Sequence, residues 1–262
     1  MRYFDSHAHY NDERFTTEYE GGALRLLDEL FSGTVSGIVN VGTSPDTCRE
    51  VIALAKQFKN MYTALGLHPS DARFITDIDG ALGEIGELIL DPENKCVCLG
   101  EIGLDYHYPD TNVEMQKTVF RRQMEMARRL SLPVSIHDRE AHGDVMEILR
   151  EYPKVKGILH SFSGSAEMAK ELCAMGYMIS FSGTVTFTNA RRVWEAATSV
   201  PMEHILIETD CPYLAPHPLR GSLNHSGNLA FTNRKIAELH GISEALSAEI
   251  TEANAKRIFS LS

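Results

Sequence analysis

The chain has 262 residues, 43% of them hydrophobic, and a formal net charge of −11. That length can bury a substantial core in one large domain or two small ones, and an α/β barrel takes about 250 residues. The acidity gives no compositional support to a polyanionic partner, because such a chain repels nucleic acid at long range unless bound cations or uneven charge placement offset it. No apolar run is long enough to span a membrane and no basic-then-apolar leader is visible, so the expected protein is soluble, unexported and cytoplasmic. Cys48, Cys96, Cys98, Cys173 and Cys211 are odd in number and scattered, which suits reduced thiols better than a disulfide framework.

Short apolar runs alternate with amphipathic stretches along the chain. The first run, residues 2–9, carries Tyr3 and Phe4 into Asp5-Ser6-His7-Ala8-His9. On a strand, a spacing of two points both imidazoles to one face, where two neutral rings can chelate a divalent metal. Further strand candidates follow at residues 37–42, 61–68, 96–105, 133–137, 157–162, 177–183 and 205–210. Several are continuous runs of Val, Ile, Leu and Phe, as in parallel strands covered on both faces. Helical patterns lie between them, for example at 47–58, 115–130, 142–151 and 166–175. Ser44-Pro45-Asp46 and Ser165 read as helix starts and Gly176 as a left-handed helix end. Asp77-Ile78-Asp79-Gly80 lacks the remaining positions of a calcium loop and reads as a helix-capping turn. Cys96 and Cys98 alternate onto one strand face without a second pair, as buried small apolar residues do. The arginine pairs 121–122, 128–129 and 191–192 fall on helical patterns and read as solvated faces.

About eight β–α units in one run is the count of a (β/α)8 TIM barrel. The competing doubly wound sheet carries a Gly-rich phosphate loop after its first strand, and none is present; a Walker motif and a Gly-x-Ser-x-Gly elbow are absent too. No linker, repeat or low-complexity tract divides the chain, so one α/β domain over residues 1–262 is expected.

In such a barrel the chemistry sits at the C-terminal ends of the strands. There the apolar runs stop in His7 and His9, His68, Glu101 and Asp105, His137 and Arg139, His160, and Glu208 and Asp210. Burying such groups unpaired costs several kcal/mol each, so their convergence on one rim needs a shared partner. His7, His9, Glu101, His137, His160 and Asp210 have the ligand number of a two-metal site, in which Glu101 is the natural bridge and Asp210 the natural proton acceptor. Mixed His and carboxylate ligands leave the metal open among zinc, manganese, cobalt, iron and magnesium.

These residues also resemble a known family. Asp-Ser-His-Ala-His, Gly-Leu-His-Pro, Gly-Glu-Ile-Gly-Leu-Asp-Tyr, Ile-His-x-Arg, His-Ser-Phe-Ser-Gly, Glu-Thr-Asp-Cys-Pro-Tyr-Leu-Ala-Pro and the closing Asn254-Ala255-Lys256-Arg257-Ile258-Phe259 are similar, in order and across the chain, to TatD-type metal-dependent deoxyribonucleases. The resemblance implies a single, distorted barrel of the metal-dependent hydrolase type and hydrolysis of DNA phosphodiester bonds, often from the 3′ end. It implies two divalent ions (magnesium, manganese or zinc), one held by His7, His9, Glu101 and Asp210 and the other by Glu101, His137 and His160. His68, Arg139 and Arg220 would then bind substrate, with Glu101 and Asp210 catalytic. The expected partner is DNA or an oligonucleotide, with no membrane, and a monomer is compatible with this reading.

One stretch departs from the family pattern. Where the family reads Arg-Gly-x-x-Asn-x-Pro, the chain has Arg220-Gly221-Ser222-Leu223-Asn224-His225-Ser226, with Ser226 at the proline position. This bears on the rim near the eighth strand and on substrate preference, not on the metal ligands. Two other functions compete: an amidohydrolase-type enzyme acting on a small-molecule amide, lactone or phosphoester, and a non-enzymatic barrel with vestigial ligands. Relatives of the first chemistry often bridge their metals with a modified lysine at the fourth strand, where this chain has Glu101.

Overall fold

The structure, a computed structural model, describes all residues from Met1 to Ser262. Its strands are β1 (Tyr3–Ala8), β2 (Val35–Gly42), β3 (Met61–Leu65), β4 (Cys96–Asp105), β5 (Val134–Arg139), β6 (Gly157–Leu159), β7 (Met178–Phe181) and β8 (Ile205–Ile207). They form one eight-stranded sheet in the order β1 to β8, with helices in the connections. The pairs β1/β2, β3/β4, β4/β5, β5/β6 and β7/β8 are parallel. Parallel neighbours need a crossover, and sequence-ordered parallel strands with helical crossovers are the (β/α)8 arrangement expected from the sequence. By backbone contacts the chain divides into two compact units, Met1–Asn40 with His160–Ser262, and Val41–Leu159.

In the first unit every residue of β1 is buried. Past the end of β8 the chain returns to β1: Asp210 N donates to His7 O at 3.0 Å, and His9 N donates to Cys211 O at 2.8 Å. Helix Ala166–Ala174 starts at Ser165, whose side chain accepts from Met168 N, and it is followed by Gly176 at φ +87°. Both ends are as read from the sequence, since glycine enters the left-handed region without a Cβ penalty.

In the second unit β4 is the central strand, buried from Cys98 to Asp105 and paired with β3 and β5. Helix Val113–Leu130 sends two buried glutamines into the strand ends. Gln123 accepts from Leu67 N (2.8 Å) and donates to Leu67 O (3.0 Å); Gln116 accepts from Asp105 N (2.9 Å) and donates to Asp105 O (3.0 Å). These bonds satisfy backbone groups that have left the ladder and so fix the segments carrying His68 and Asp105. Helix Pro45–Ala55 begins in a capping box of Ser44 and Thr47, and Asp77 caps helix Ile78–Leu90 by accepting from Gly80 N, as the capping-turn reading expects. Cys98 is buried and Cys96 half-buried, and burial pushes both thiols up, Cys96 to about 11.

Several strands are shorter than their apolar runs suggest: the run at 61–68 ends as a strand at Leu65 and the run at 177–183 at Phe181. The run at 157–162 ends as a strand at Leu159 and the run at 205–210 ends at Ile207. Ser161 (φ +40°) and Asp210 (φ +53°) turn left-handed and take the chain off the ladder, so side chains bond these polar ends. The arginine pairs lie on helix surfaces, with Arg121 on Glu151, Arg128 on Glu125 and Arg191 on Glu195. No helix is long and apolar enough to cross a membrane.

Candidate metal centre

The first unit gathers His7, His9, His160 and Asp210. The backbone bonds between the ends of β1 and β8 set Asp210 beside the two histidines, and the spacing of two points both rings the same way. His7 Nε2 and His9 Nε2 lie 3.1 Å apart, and Asp210 Oδ1 lies 3.8 Å from the first and 3.4 Å from the second. For ligand atoms about 2.1 Å from one ion, tetrahedral edges measure about 3.4 Å. Two imidazole nitrogens facing each other cannot both donate, so at least one lone pair points between the rings, as a bound cation requires. His160 joins the group, with its donor atom within 4.8 Å of those of His7 and Asp210 and its ring stacked on His7 at 4.0 Å between centroids.

A buried acid orients this histidine. Glu208, fully buried, accepts from His160 Nδ1 at 3.3 Å and from Ser161 N at 2.7 Å through the same Oε1. That bond fixes the tautomer and leaves Nε2 as the metal-facing lone pair. Asp210 is held below the usual carboxylate range: burial pushes it up, but the hydrogen bond from His9 and the charges of His160 and His7 outweigh burial. Asp210 is thus an ionised carboxylate.

Asp5 is fully buried next to this group and holds its frame rather than a ligand position. It accepts from Thr209 N (3.0 Å), Thr209 Oγ1 (2.6 Å) and Ser226 Oγ (2.7 Å). Burial pushes its carboxyl up to about 7, although those hydrogen bonds pull the other way. Ser226 N donates to the Tyr10 hydroxyl at 2.9 Å, which lies 2.8 Å from Ser226 Oγ. The residue at the family's proline position thus completes a chain from Tyr10 through Ser226 to Asp5. Asn224 ties the same loop to the end of β8 by donating to Thr209 O (3.0 Å) and Tyr213 O (2.7 Å). Arg220 stacks over Phe187 with Cζ 4.4 Å from the ring centroid.

The second unit gathers His68, Glu101 and His137, whose donor atoms lie within 4.8 Å of one another. Ladder pairing of Gly103 with His137 brings β4 and β5 together here; a Cβ on Gly103 (φ +140°) would collide with the His137 carbonyl. His137 Nδ1 is 2.7 Å from Glu101 Oε1, and its Nε2 is 3.2 Å from Asp105 Oδ2. With Nε2–H given to Asp105, the Nδ1 lone pair faces a carboxylate oxygen, an arrangement that requires positive charge on the ring or a cation beside it. His137, the His107 backbone N–H and Arg139 together outweigh burial and hold the Asp105 carboxyl down at about 2. His68 Nδ1 accepts from Ser70 N (3.1 Å), leaving Nε2 as the N–H end, 3.4 Å from Glu101 Oε1. Arg139 is exposed at the end of β5, while its acidic neighbours Asp138 and Glu140 bond His142 and His107 at 2.8 and 2.7 Å. Neutral imidazole with carboxylate is a donor set that fits divalent ions in both groups.

Comparison with known proteins agrees with this chemistry. The family model described as TatD related DNase matches residues 4–260. This chain belongs to the TatD family. Within the TatD family it is 40% identical over 258 residues to the uncharacterized metal-dependent hydrolase YabD of Bacillus subtilis, covering 98% of each chain. It is 36% identical to the metal-dependent hydrolase TatD of Mycobacterium tuberculosis, covering 90% of each. Among solved structures, the TatD homolog YJJV of Escherichia coli K12 superposes with a TM-score of 0.90 at 27% identity, covering 100% of this chain and 99% of that one. For this TatD-family chain, sequence reasoning set out the six ligand candidates but gave no role to Glu208, Asp105 or Ser226. The available signal was positional: Glu208 and Asp105 are further carboxylates on the very runs that carry Asp210 and Glu101.

Proposed function

We propose that this TatD-family metal-dependent hydrolase cleaves phosphodiester bonds in DNA from the 3′ end, using two divalent ions drawn from magnesium, manganese and zinc. The observation that carries this reading is the repeated pairing of a ligand histidine with a buried carboxylate, His160 with Glu208 and His137 with Asp105. Structural histidines need no such orientation; metal ligands commonly have it. His7, His9, His160 and Asp210 in one unit, and Glu101 and His137 in the other, would hold the ions. Divalent ions bound there supply a Lewis acid for a phosphoryl oxygen and make water a competent nucleophile at neutral pH. Asp210, kept ionised by its histidine neighbours, accepts the proton of the attacking water at a carboxylate oxygen. His68 Nε2–H and the Arg139 and Arg220 guanidinium groups donate to the substrate phosphate, for which a planar guanidinium is suited.

The test is shortening of a 3′-labelled oligonucleotide by purified protein with added Mg²⁺ or Mn²⁺, beside a panel of small esters, lactones and amides. Glu101→Ala and Asp210→Ala are expected to lower the rate by about three orders of magnitude or more, as loss of central catalytic groups does. Digestion at wild-type rate by both variants, or turnover confined to the small-molecule panel, overturns the reading.

A further inference from the structure

The exposed large apolar side chains sort by position. The aliphatic ones, Met1, Leu24, Leu90 and Leu246, lie at the N-terminus or on helices, whereas the aromatic ones, Phe74, Tyr108 and Tyr213, all lie on segments that follow strand C-terminal ends. Single exposed apolar residues are ordinary; this segregation of rings to the ends that carry the ligands is not. In the second unit the pattern is most developed. Phe74 is 72% exposed and Tyr108 is 40% exposed, on the segments that follow His68 and Asp105.

One guanidinium reaches both rings. Arg73 Cζ is 4.6 Å from the Phe74 centroid and 5.2 Å from that of Tyr108, so the two rings lie within reach of neighbouring nucleotides of one strand. Asp110 grips the same guanidinium at 3.0 and 3.1 Å, which fixes Arg73 as a clamp between the segments after β3 and β4. Arg139 Cζ approaches the Tyr108 ring at 5.9 Å, two residues beyond His137. Its neighbouring acids, Asp138 and Glu140, are each paired with a histidine. The patch therefore offers two solvent-exposed rings and a cation at the ligand-bearing ends of a chain whose net charge is −11.

Open aromatic faces interleaved with guanidinium groups are the recognition chemistry of single-stranded nucleic acid, whose bases stack while the backbone meets the cations. A duplex hides its base faces and a small ester has none. We propose that Phe74 and Tyr108, held by Arg73 and accompanied by Arg139, form a base-stacking subsite for single-stranded DNA. The proposal rests on the phosphodiesterase reading above and adds to it the residues that hold the bases.

The test is binding of a fluorescein-labelled phosphorothioate oligothymidylate, which resists cleavage, to the protein with its divalent ions, read by fluorescence anisotropy at low salt. A phosphorothioate chain of the same length built from abasic sites is the second ligand. The wild type should bind the base-bearing strand about tenfold more tightly than the abasic one, and Phe74→Ala or Tyr108→Ala should each remove most of that advantage. Phe74→Trp should restore it, which separates stacking from damage to the fold. Equal binding of the two strands by the wild type, or a Phe74→Ala, Tyr108→Ala double variant that keeps the full advantage, overturns the subsite. If the wild type digests oligonucleotides and that double variant keeps its preference for bases, the subsite fails while the nuclease reading stands. If the base preference depends on these rings but no oligonucleotide is cut, the nuclease reading fails and the subsite stands.

Discussion

Glu208 Oε1 meets His160 Nδ1 at 3.3 Å with neither side chain open to solvent, and in the other unit the buried Asp105 meets His137 through Nε2 at 3.2 Å. Neither carboxylate is needed as a ligand; each presents a histidine. Glu208→Gln is therefore expected to weaken divalent-metal affinity by about 10- to 100-fold while leaving the protein folded. Titration calorimetry on chelator-stripped protein measures this, with circular dichroism as the folding control. Unchanged affinity in a folded Glu208→Gln variant would refute the positioning role.

A chelator should destabilise the protein. Ions that bind only the folded state, at about 100 times their dissociation constant, add about 2.7 kcal/mol. For a chain of this size that corresponds to a melting-point drop of roughly 5–10 °C on adding EDTA. His7→Ala, which removes a proposed ligand whose Nε2 sits 3.1 Å from that of His9, should melt at a temperature that EDTA no longer shifts as far. Differential scanning fluorimetry with and without chelator reads both effects.

The buried carboxyl of Asp5 gives stability a pH dependence of unusual sign. Its folded value, about 7, lies above the ordinary 3.8, so between those values the folded state binds a proton that the unfolded chain has lost. Its contribution is complete below pH 3.8 and is lost as pH rises through about 7. Asp105, held down at about 2, acts oppositely: its contribution is present above 3.8 and is lost as pH falls through 2. Urea denaturation of chelated wild type and Asp5→Asn between pH 5 and 8 isolates the first effect, the variant losing the wild type's decline; parallel slopes would contradict it.

Much of this was legible in the sequence because a parallel strand buried on both faces reads as an apolar run, and a ligand at its end interrupts that run with His, Asp or Glu. His7 and His9 could be placed on one face from the period of two, and Ser44, Asp77 and Ser165 as caps from local chemistry. Strand ends were less legible. Ser161 and Asp210 leave the ladder through left-handed backbone, which no hydropathy pattern marks, so the runs overshoot Leu159 and Ile207. Partnerships across the chain were not legible at all. The bond from Ser226 to Asp5 joins residues 221 positions apart, and Gln123 reaches Leu67 across 56. Propensity and spacing describe a residue's own segment, whereas these bonds exist only once the helices have docked.

Ser226 gives a sharp test of that last point, because the family pattern has proline there. The backbone would accept proline: Ser226 is the first residue of a short 3₁₀ turn, and the preceding His225 is extended at φ −161°, ψ 164°. The hydrogen bonds would not survive. Proline lacks both the N–H that Ser226 gives to Tyr10 and the hydroxyl that it gives to Asp5, and both partners are buried. Leaving them short of donors should cost on the order of 2–4 kcal/mol. Ser226→Ala, which keeps the N–H, should cost about half of that. Urea midpoints of the two variants measure the difference, and a Ser226→Pro variant as stable as wild type would show that the Tyr10–Ser226–Asp5 chain contributes nothing net. The same variants should bind divalent ions less tightly, since Asp5 fixes Thr209 and, one residue on, Asp210.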